Sequence, residues 1–431
     1  MLVGFTLLAL LCADGHPDQD HEVASLVESL GSPRFAERQR ATDTLLKMGD
    51  EARPALDAAR SARDPEVRER AAWLVETIDG LGLARPSQVE LDVRDRPMGE
   101  VAREIGRQAG FDLEIPANFP GLGELARKPV TLRIDSPVSF WTALERLREA
   151  TGLPLTLEEQ VARKEGRGRA GLRLERAPSL ATDEDGPVRG EVIGFSRKGD
   201  LGYLAQVRLR AEPRLRLRVT GMPRGLEARD EFGHALASTP DPLRDPSEVS
   251  FAQADQDGGV TVWIPMDRPV DLGQSLKRLK FSIPIALATR REEPSATIPF
   301  GEAEGKAQVL EDIVVIARRP GAFGGLNGGM GLNGQVQLIL RSLGPDRRAD
   351  LCEDQLELRD AGGRVLSPSS GGMANPWRGG MMRGLGGQNI TLRAYTLNGD
   401  DRSFPAELRY YELRQTELVA NLEFRDIPLP R

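Results

Sequence analysis

The apolar positions change rhythm along the chain, and each rhythm predicts a different kind of element. Between residues 22 and 80 the spacing is helical. Ala41, Leu45 and Met48 fall at i, i+4 and i+7, with Gly49 as the stop. Ala52, Ala55, Leu56 and Ala59 repeat the spacing over a second short helix, and Val67, Ala71, Leu74, Val75 and Ile78 form a third stripe. Ser32-Pro33 and Asp64-Pro65 each offer a capping side chain followed by a proline suited to the first helical position.

From 86 to 160 one pattern occurs twice. Val89, Leu91 and Val93 alternate as in a half-buried strand, and so do Val130, Leu132 and Ile134. A helical stripe comes after each: Met98, Val101, Ile105 and Ala109 in the first, Phe140, Leu144 and Leu147 in the second. Gly110 and Gly152 stand where a helix ends, and short apolar strands come next around Leu113 and Leu155. The pattern predicts a duplicated βαβ domain, with Trp141 in its core beside Leu144. Residues 161–189, which contain ARKEGRGR and ATDEDGP, show no apolar period and read as a linker.

Beyond residue 190 the period is two, and the chain is again duplicated. LEARDEFGHAL from Leu226 matches LELRDAGGRVL from Leu356 at six of eleven positions, an offset of 130. QVRLR from Gln206 pairs with QLILR from Gln337, VTVWI from Val260 with ITLRA from Ile390, and LKF from Leu279 with LRY from Leu408. ATIPF from Ala296 likewise pairs with ANLEF from Ala420. Short alternating strands at this spacing predict two β-sandwiches, 190–302 and 305–431. The shared Asp-x-x-Gly, Asp230 to Gly233 and Asp360 to Gly363, predicts a turn with Asp accepting backbone N–H bonds and Gly at positive φ.

These residues carry three resemblances. DPEVRERAAWLVETI, with its Asp-Pro opening and Ala-rich face, resembles a HEAT-like helical repeat. That implies a protein-binding surface or a small helical module packed on the neighbouring domain. The strand, polar turn, helix and second strand of 86–160 resemble the short N-terminal domain of secretins and TonB-dependent receptors. That implies protein contacts in the cell envelope and no enzymatic activity. The two β-rich copies are similar in architecture to Ig-like sandwiches, without the Cys…Trp…Cys signature. The expected fold class is multidomain: an α module, an α/β domain and an all-β pair. The combination resembles exported bacterial proteins.

The N-terminus agrees with export. Leu2 to Ala13 is an uncharged run of twelve apolar or small residues, ahead of Asp14, His16 and Asp18. A helix needs about 20 residues to cross a bilayer, so the run reads as the apolar part of a signal peptide, residues 1–15. Cleavage fits after Ala13 or Gly15, although no Lys or Arg precedes the run. Leu11 before Cys12 argues against a lipobox, and no later apolar run is long enough to span a membrane.

Composition narrows the chemistry. Three His and two Cys in 431 residues nearly exclude a His-rich metal centre, a zinc finger, an iron–sulfur cluster or a disulfide framework. Of 58 Lys and Arg only seven are Lys, yet the Arg residues are interleaved with 65 acids and the net charge is -7. Without a basic stripe, nucleic acid is not an expected partner. Gly329 to Gly334 spells GxGxxG, but it sits in a Gly-rich stretch and feeds a strand, whereas a dinucleotide loop opens a helix. Asp255 and Asp257 lack the remaining ligands of a calcium loop and read as a hairpin turn. Asn389-Ile-Thr391 is a glycosylation sequon inside a strand pattern. Met330, Met373, Met381, Met382 and Trp377 mark two Gly-rich loops that read as insertions; copper(I) ligation and adaptable contact are the other readings.

No catalytic, cofactor-binding or metal-binding residue is assigned. The expectation is a non-enzymatic scaffold or adaptor, periplasmic or at the cell surface, whose partners are envelope proteins. A surface carbohydrate-binding or hydrolase accessory protein is the alternative. It would need exposed aromatics or a defined carboxylate pair. The oligomeric state is left open.

Overall fold

The computed structural model describes residues 17–115, 122–164, 167–174, 179–197, 202–236, 252–254, 259–267, 272–310, 313–318, 335–342, 355–366, 390–396 and 405–429. The chain mixes helices with many strands in several mainly antiparallel sheets. It divides into two units, residues 1–82 and 83–431.

The helices of the first unit are Pro17–Ser29 (α1), Phe35–Met48 (α2), Arg53–Ala59 (α3) and Pro65–Ala84 (α4). Pro65 opens α4, and the Asp64 carboxylate accepts the Glu66 N–H at 2.9 Å, as the Asp-Pro pair predicts. Ser32 does not cap in this way. Helix α2 begins at Phe35, two residues late, and the Ser32 hydroxyl accepts the Arg34 N–H while donating to Glu37 at 2.6 Å. The apolar stripes meet in one core, with Leu45, Leu56, Ala71 and Leu74 at its centre.

The second unit begins with Gln88–Pro97 (β1), Met98–Ala109 (α5), Asp112–Glu114 (β2), Leu122–Arg127 (α6), Pro129–Ser139 (β3), Phe140–Thr151 (α7) and Leu155–Lys164 (β4). Gly110 and Gly152 end α5 and α7 at φ of 84° and 64°, which suits glycine. The strand–helix–strand order matches the sequence pattern, but the two strands of a repeat do not share a sheet. β1 pairs antiparallel with β3, whereas β2 and β4 flank Arg167–Leu174 (β5) in a separate sheet, β2 parallel and β4 antiparallel. Helix α5 packs against both β1 and β2, so its stripe is buried from two sides.

The expected linker 161–189 needs correction. It holds the end of β4, all of β5 and Ala181–Asp185 (β6). Apolar periodicity misses β6 because it is an edge strand held by its backbone and by its acids. The carboxylates of Asp183 and Asp185 accept the backbone N–H groups of Glu423 and Asn421, each at 2.7 Å.

The next strands are Val188–Arg197 (β7), Gly202–Ala211 (β8), Arg216–Val219 (β9), Arg224–Asp230 (β10), Ala252–Ala254 (β11), Val260–Asp267 (β12), Ser275–Arg290 (β13) and Ala296–Pro299 (β14). After the short helix Phe300–Ala303 (α8) come Ala307–Leu310 (β15), Ile313–Arg318 (β16), Gln335–Ser342 (β17), Leu356–Asp360 (β18), Val365–Leu366 (β19), Ile390–Thr396 (β20), Pro405–Tyr410 (β21) and Leu413–Pro428 (β22). Sheet β11-β12-β8-β7-β6 shares a core with β10-β13-β22, around Val207, Ile264, Phe281 and Phe424. Sheet β15-β16-β17-β20 shares another with β14-β21-β18-β19, around Val315, Leu338, Leu358 and Leu408. Segments related by the repeat take equivalent places: β8 with β17, β12 with β20, β10 with β18 and β13 with β21.

The expected division between 302 and 305 is where the structure departs from the repeat. β14, which carries the ATIP of ATIPF, pairs with β21 of the second copy, and Phe300 opens α8. β22, which carries ANLEF, pairs with β13 of the first copy, from Ser275↔Pro428 to Arg290↔Leu413. The two copies have exchanged their closing strands. Length explains the choice. β13 has 16 residues, and β14 matches only four of them and ends in Pro299, whereas β22 has 16 and buries Leu422, Phe424 and Ile427. Where the two connections cross, the Arg290 guanidinium lies 3.8 Å from the Tyr411 ring centroid and 3.1 Å from the Glu357 carboxylate. Burial alone would raise the Glu357 carboxyl, but the Arg359 hydrogen bond and the Arg290 charge outweigh it and hold it below its ordinary value.

The repeated turns are alike. Asp230 accepts the N–H groups of Phe232 and His234, and Asp360 those of Gly362 and Arg364, with Gly233 and Gly363 at φ of 88° and 79°. Leu236 and Leu356 are buried, while Leu226 and Leu366 are half-buried against their cores.

Candidate functional site

Strand β1 forms because its apolar residues alternate: Val89 and Leu91 point inward, and Glu90 and Asp92 are exposed. Among the described residues it pairs with one strand only, β3. Its outer edge faces α5 across a groove of about 620 Å³, lined by Leu91, Asp92, Val93, Val101, Glu104 and Gln108 among others.

At one end the groove is latched. The Gln108 side-chain oxygen accepts the Glu90 N–H at 2.9 Å, and its Nε2 donates to the Glu90 carbonyl at 3.0 Å. A strand residue in an antiparallel pair exchanges the same two bonds, so Gln108 imitates one residue of a missing neighbour. Gln108 Nε2 also donates to Glu104 Oε1 at 2.8 Å, which fixes the amide's orientation. Hydrogen bonds from Arg107 and then Gln108 hold the Glu104 carboxyl down at about 2. Since Glu90 turns its backbone groups away from β3, the alternation of a strand puts those of Asp92 on the same outer edge. The chemistry on offer is backbone hydrogen bonding along an edge; of the apolar lining, Leu91 and Val101 are buried in the core and Val93 is half-buried.

A second group of polar residues is structural. Glu212, fully buried, accepts from Ser87 N at 2.8 Å, Ser87 Oγ at 2.6 Å and Arg214 Nε at 2.7 Å. Arg189, also buried, lies 3.2 Å from Glu145, 3.4 Å from Glu184 and 3.4 Å from Glu191. These contacts join the strand–helix repeats to the sheet that contains β7 and β8. Trp141 belongs here too: it is buried, and its Nε1 donates to the Pro187 carbonyl at 3.1 Å.

Gly329 to Gly334, Met330, Met373, Met381, Met382, Trp377, Asn389, Asp255 and Asp257 lie outside the described residues, and Thr391 falls in β20. The groove residues escape sequence reasoning because Glu90, Glu104 and Gln108 look like ordinary solvated positions. Their only signal is that Gln108 stands four residues after Glu104 on one helix face. Among the described residues no group of three or more His, Cys, Asp or Glu is placed to hold a metal, and no helix is long and apolar enough to cross a membrane. No family model, curated protein or solved structure matches the chain.

Proposed function

We propose that the chain is an exported scaffold or adaptor of the cell envelope that works through protein–protein contact rather than catalysis. The observation that carries this reading is the open edge of β1 beside α5. A strand edge facing a groove is a ready surface for an extended segment of another protein. In this reading residues 22–80 are a HEAT-like module and 86–160 a relative of the secretin and TonB-receptor short domain. The paired sheets beyond are two Ig-like sandwiches with an exchanged strand. The apolar run before Ala13 supports export.

A photo-reactive residue installed in cells at Glu90, with a control at the exposed Lys306, tests the reading. The expected result is a protein adduct from the Glu90 position alone, on a chain whose N-terminus follows Ala13 or Gly15. Cytoplasmic chain with Met1 intact, or no adduct at Glu90, overturns it.

A further inference from the structure

We infer that the outer face of the sheet β11-β12-β8-β7-β6 carries a binding site for a neutral glycan, centred on Trp263. The inference goes beyond protein contact and does not depend on the edge of β1.

The strands of this sheet alternate between two faces. Val192, Phe195, Val207, Val262 and Ile264 face the first core. Gly194, Ser196, Leu204, Gln206, Trp263 and Pro265 therefore lie on the opposite face, in two rows. Trp263 pairs with Gln206, and Gln206 with Gly194; in the next row Pro265 pairs with Leu204, and Leu204 with Ser196. A bulge between Val192 and Gly194 shifts β7 by one residue and brings Gly194 opposite Gln206. One end of this face is closed. Thr261 and Glu191, in the row before Trp263, are buried, and further on Arg210 donates to the Thr156 hydroxyl of β4 at 3.0 Å. The two rows stand where that cover ends, and their six residues are half-buried or exposed.

The side chains define the ligand. Trp263 offers an apolar ring with a polar edge. Its Nε1, the Gln206 amide and the Ser196 hydroxyl have no side-chain hydrogen bond among the described residues. Gly194 leaves a gap beside them: a Cβ there would meet nothing nearer than the Gln206 oxygen at 3.9 Å, and its φ is not positive. Neither crowding nor backbone conformation demands a glycine at that place, whereas a ligand approaching the strand does. Neither row holds a charge, although 29% of the chain is charged. The flanking charges on this face are Arg208, which already has a partner, and Asp267 beyond Pro265. An ionic ligand thus lacks a counter-charge, and an aliphatic one would leave three hydrogen-bonding groups unpaired. A pyranose ring meets both demands, with C–H groups for the indole and hydroxyls for Gln206 and Ser196. Two rows across three strands span about 7 Å by 10 Å, room for one or two sugar rings.

The test is isothermal titration calorimetry of the full chain with cellohexaose, chitohexaose, maltohexaose and mannohexaose, each to about 10 mM, the weak end of specific binding. Polygalacturonate and a polyproline peptide are the controls. At least one of the four neutral oligosaccharides should bind, and neither control should. Trp263→Ala should weaken that binding roughly tenfold or more. Gly194→Val should weaken it as much by filling the gap, while its thermal melt stays near that of the parent. Gln206→Ala should weaken it roughly threefold to tenfold.

No binding of any of the four oligosaccharides overturns the inference, and so does binding that Trp263→Ala and Gly194→Val leave unchanged. Tighter binding of polygalacturonate would name an anionic ligand, and tighter binding of the polyproline peptide a protein segment; either overturns it too. The Glu90 adduct is independent of all these results, so the contact reading stands or falls separately.

Discussion

Replacing Phe424 by alanine separates the exchanged-strand architecture from two self-contained copies. By position Phe424 belongs to the last strand of the second copy. In the structure it is fully buried in the first core, with its ring 6.2 Å from that of Phe281. It also presses on β7 where Gly190 leaves space: a Cβ there would lie 2.8 Å from the Phe424 ring. A phenylalanine truncated at such a site costs about 3–5 kcal/mol, a large share of the roughly 5–15 kcal/mol that holds a domain together. Exchange of the protected amides should then speed up on the order of a hundredfold to a few thousandfold. Where the loss falls is decisive. Hydrogen exchange read by mass spectrometry should show it in 188–197, 202–211, 260–267 and 275–290, the strands of the first core. Loss confined to 307–310, 313–318, 335–342 and 405–410 would refute the exchange.

Glu212→Ala removes the acceptor of three hydrogen bonds and leaves Arg214 and Ser87 without it. It should lower stability by about 3 kcal/mol in urea titrations, and a shift below about 1 kcal/mol would mean that the seam carries little. The Asp360 carboxyl is held below its ordinary value of 3.8, chiefly by the Arg364 N–H. Its contribution is therefore complete above that value and is lost as pH falls through the lower folded value. Thermal melts followed down to about pH 2 should find the gap between parent and Asp360→Asn closing only in that acid window. A gap independent of pH would show that the turn depends on shape and not on the carboxylate.

Local order was legible in the sequence wherever local forces decide it. Stripes such as Val67 to Ile78 and Met98 to Ala109 became helices because burying one face requires that spacing. Gly110, Gly152, Gly233 and Gly363 punctuate the chain as expected, since few other residues adopt positive φ without strain. The repeat with an offset of 130 also carried through to equivalent strands.

Pairing partners were decided only by the tertiary structure. Nothing local distinguishes ATIPF closing its own copy from ATIPF closing the next; the contest between a strand of four residues and one of 16 along β13 is settled by buried area across more than a hundred residues. The acids of β6 read as linker because their role is to satisfy the backbone of a distant strand. The groove is of the same kind. Glu90 and Gln108 are ordinary polar positions in sequence, and they become a latched edge only because α5 packs against β1 and brings the Gln108 amide to its free edge.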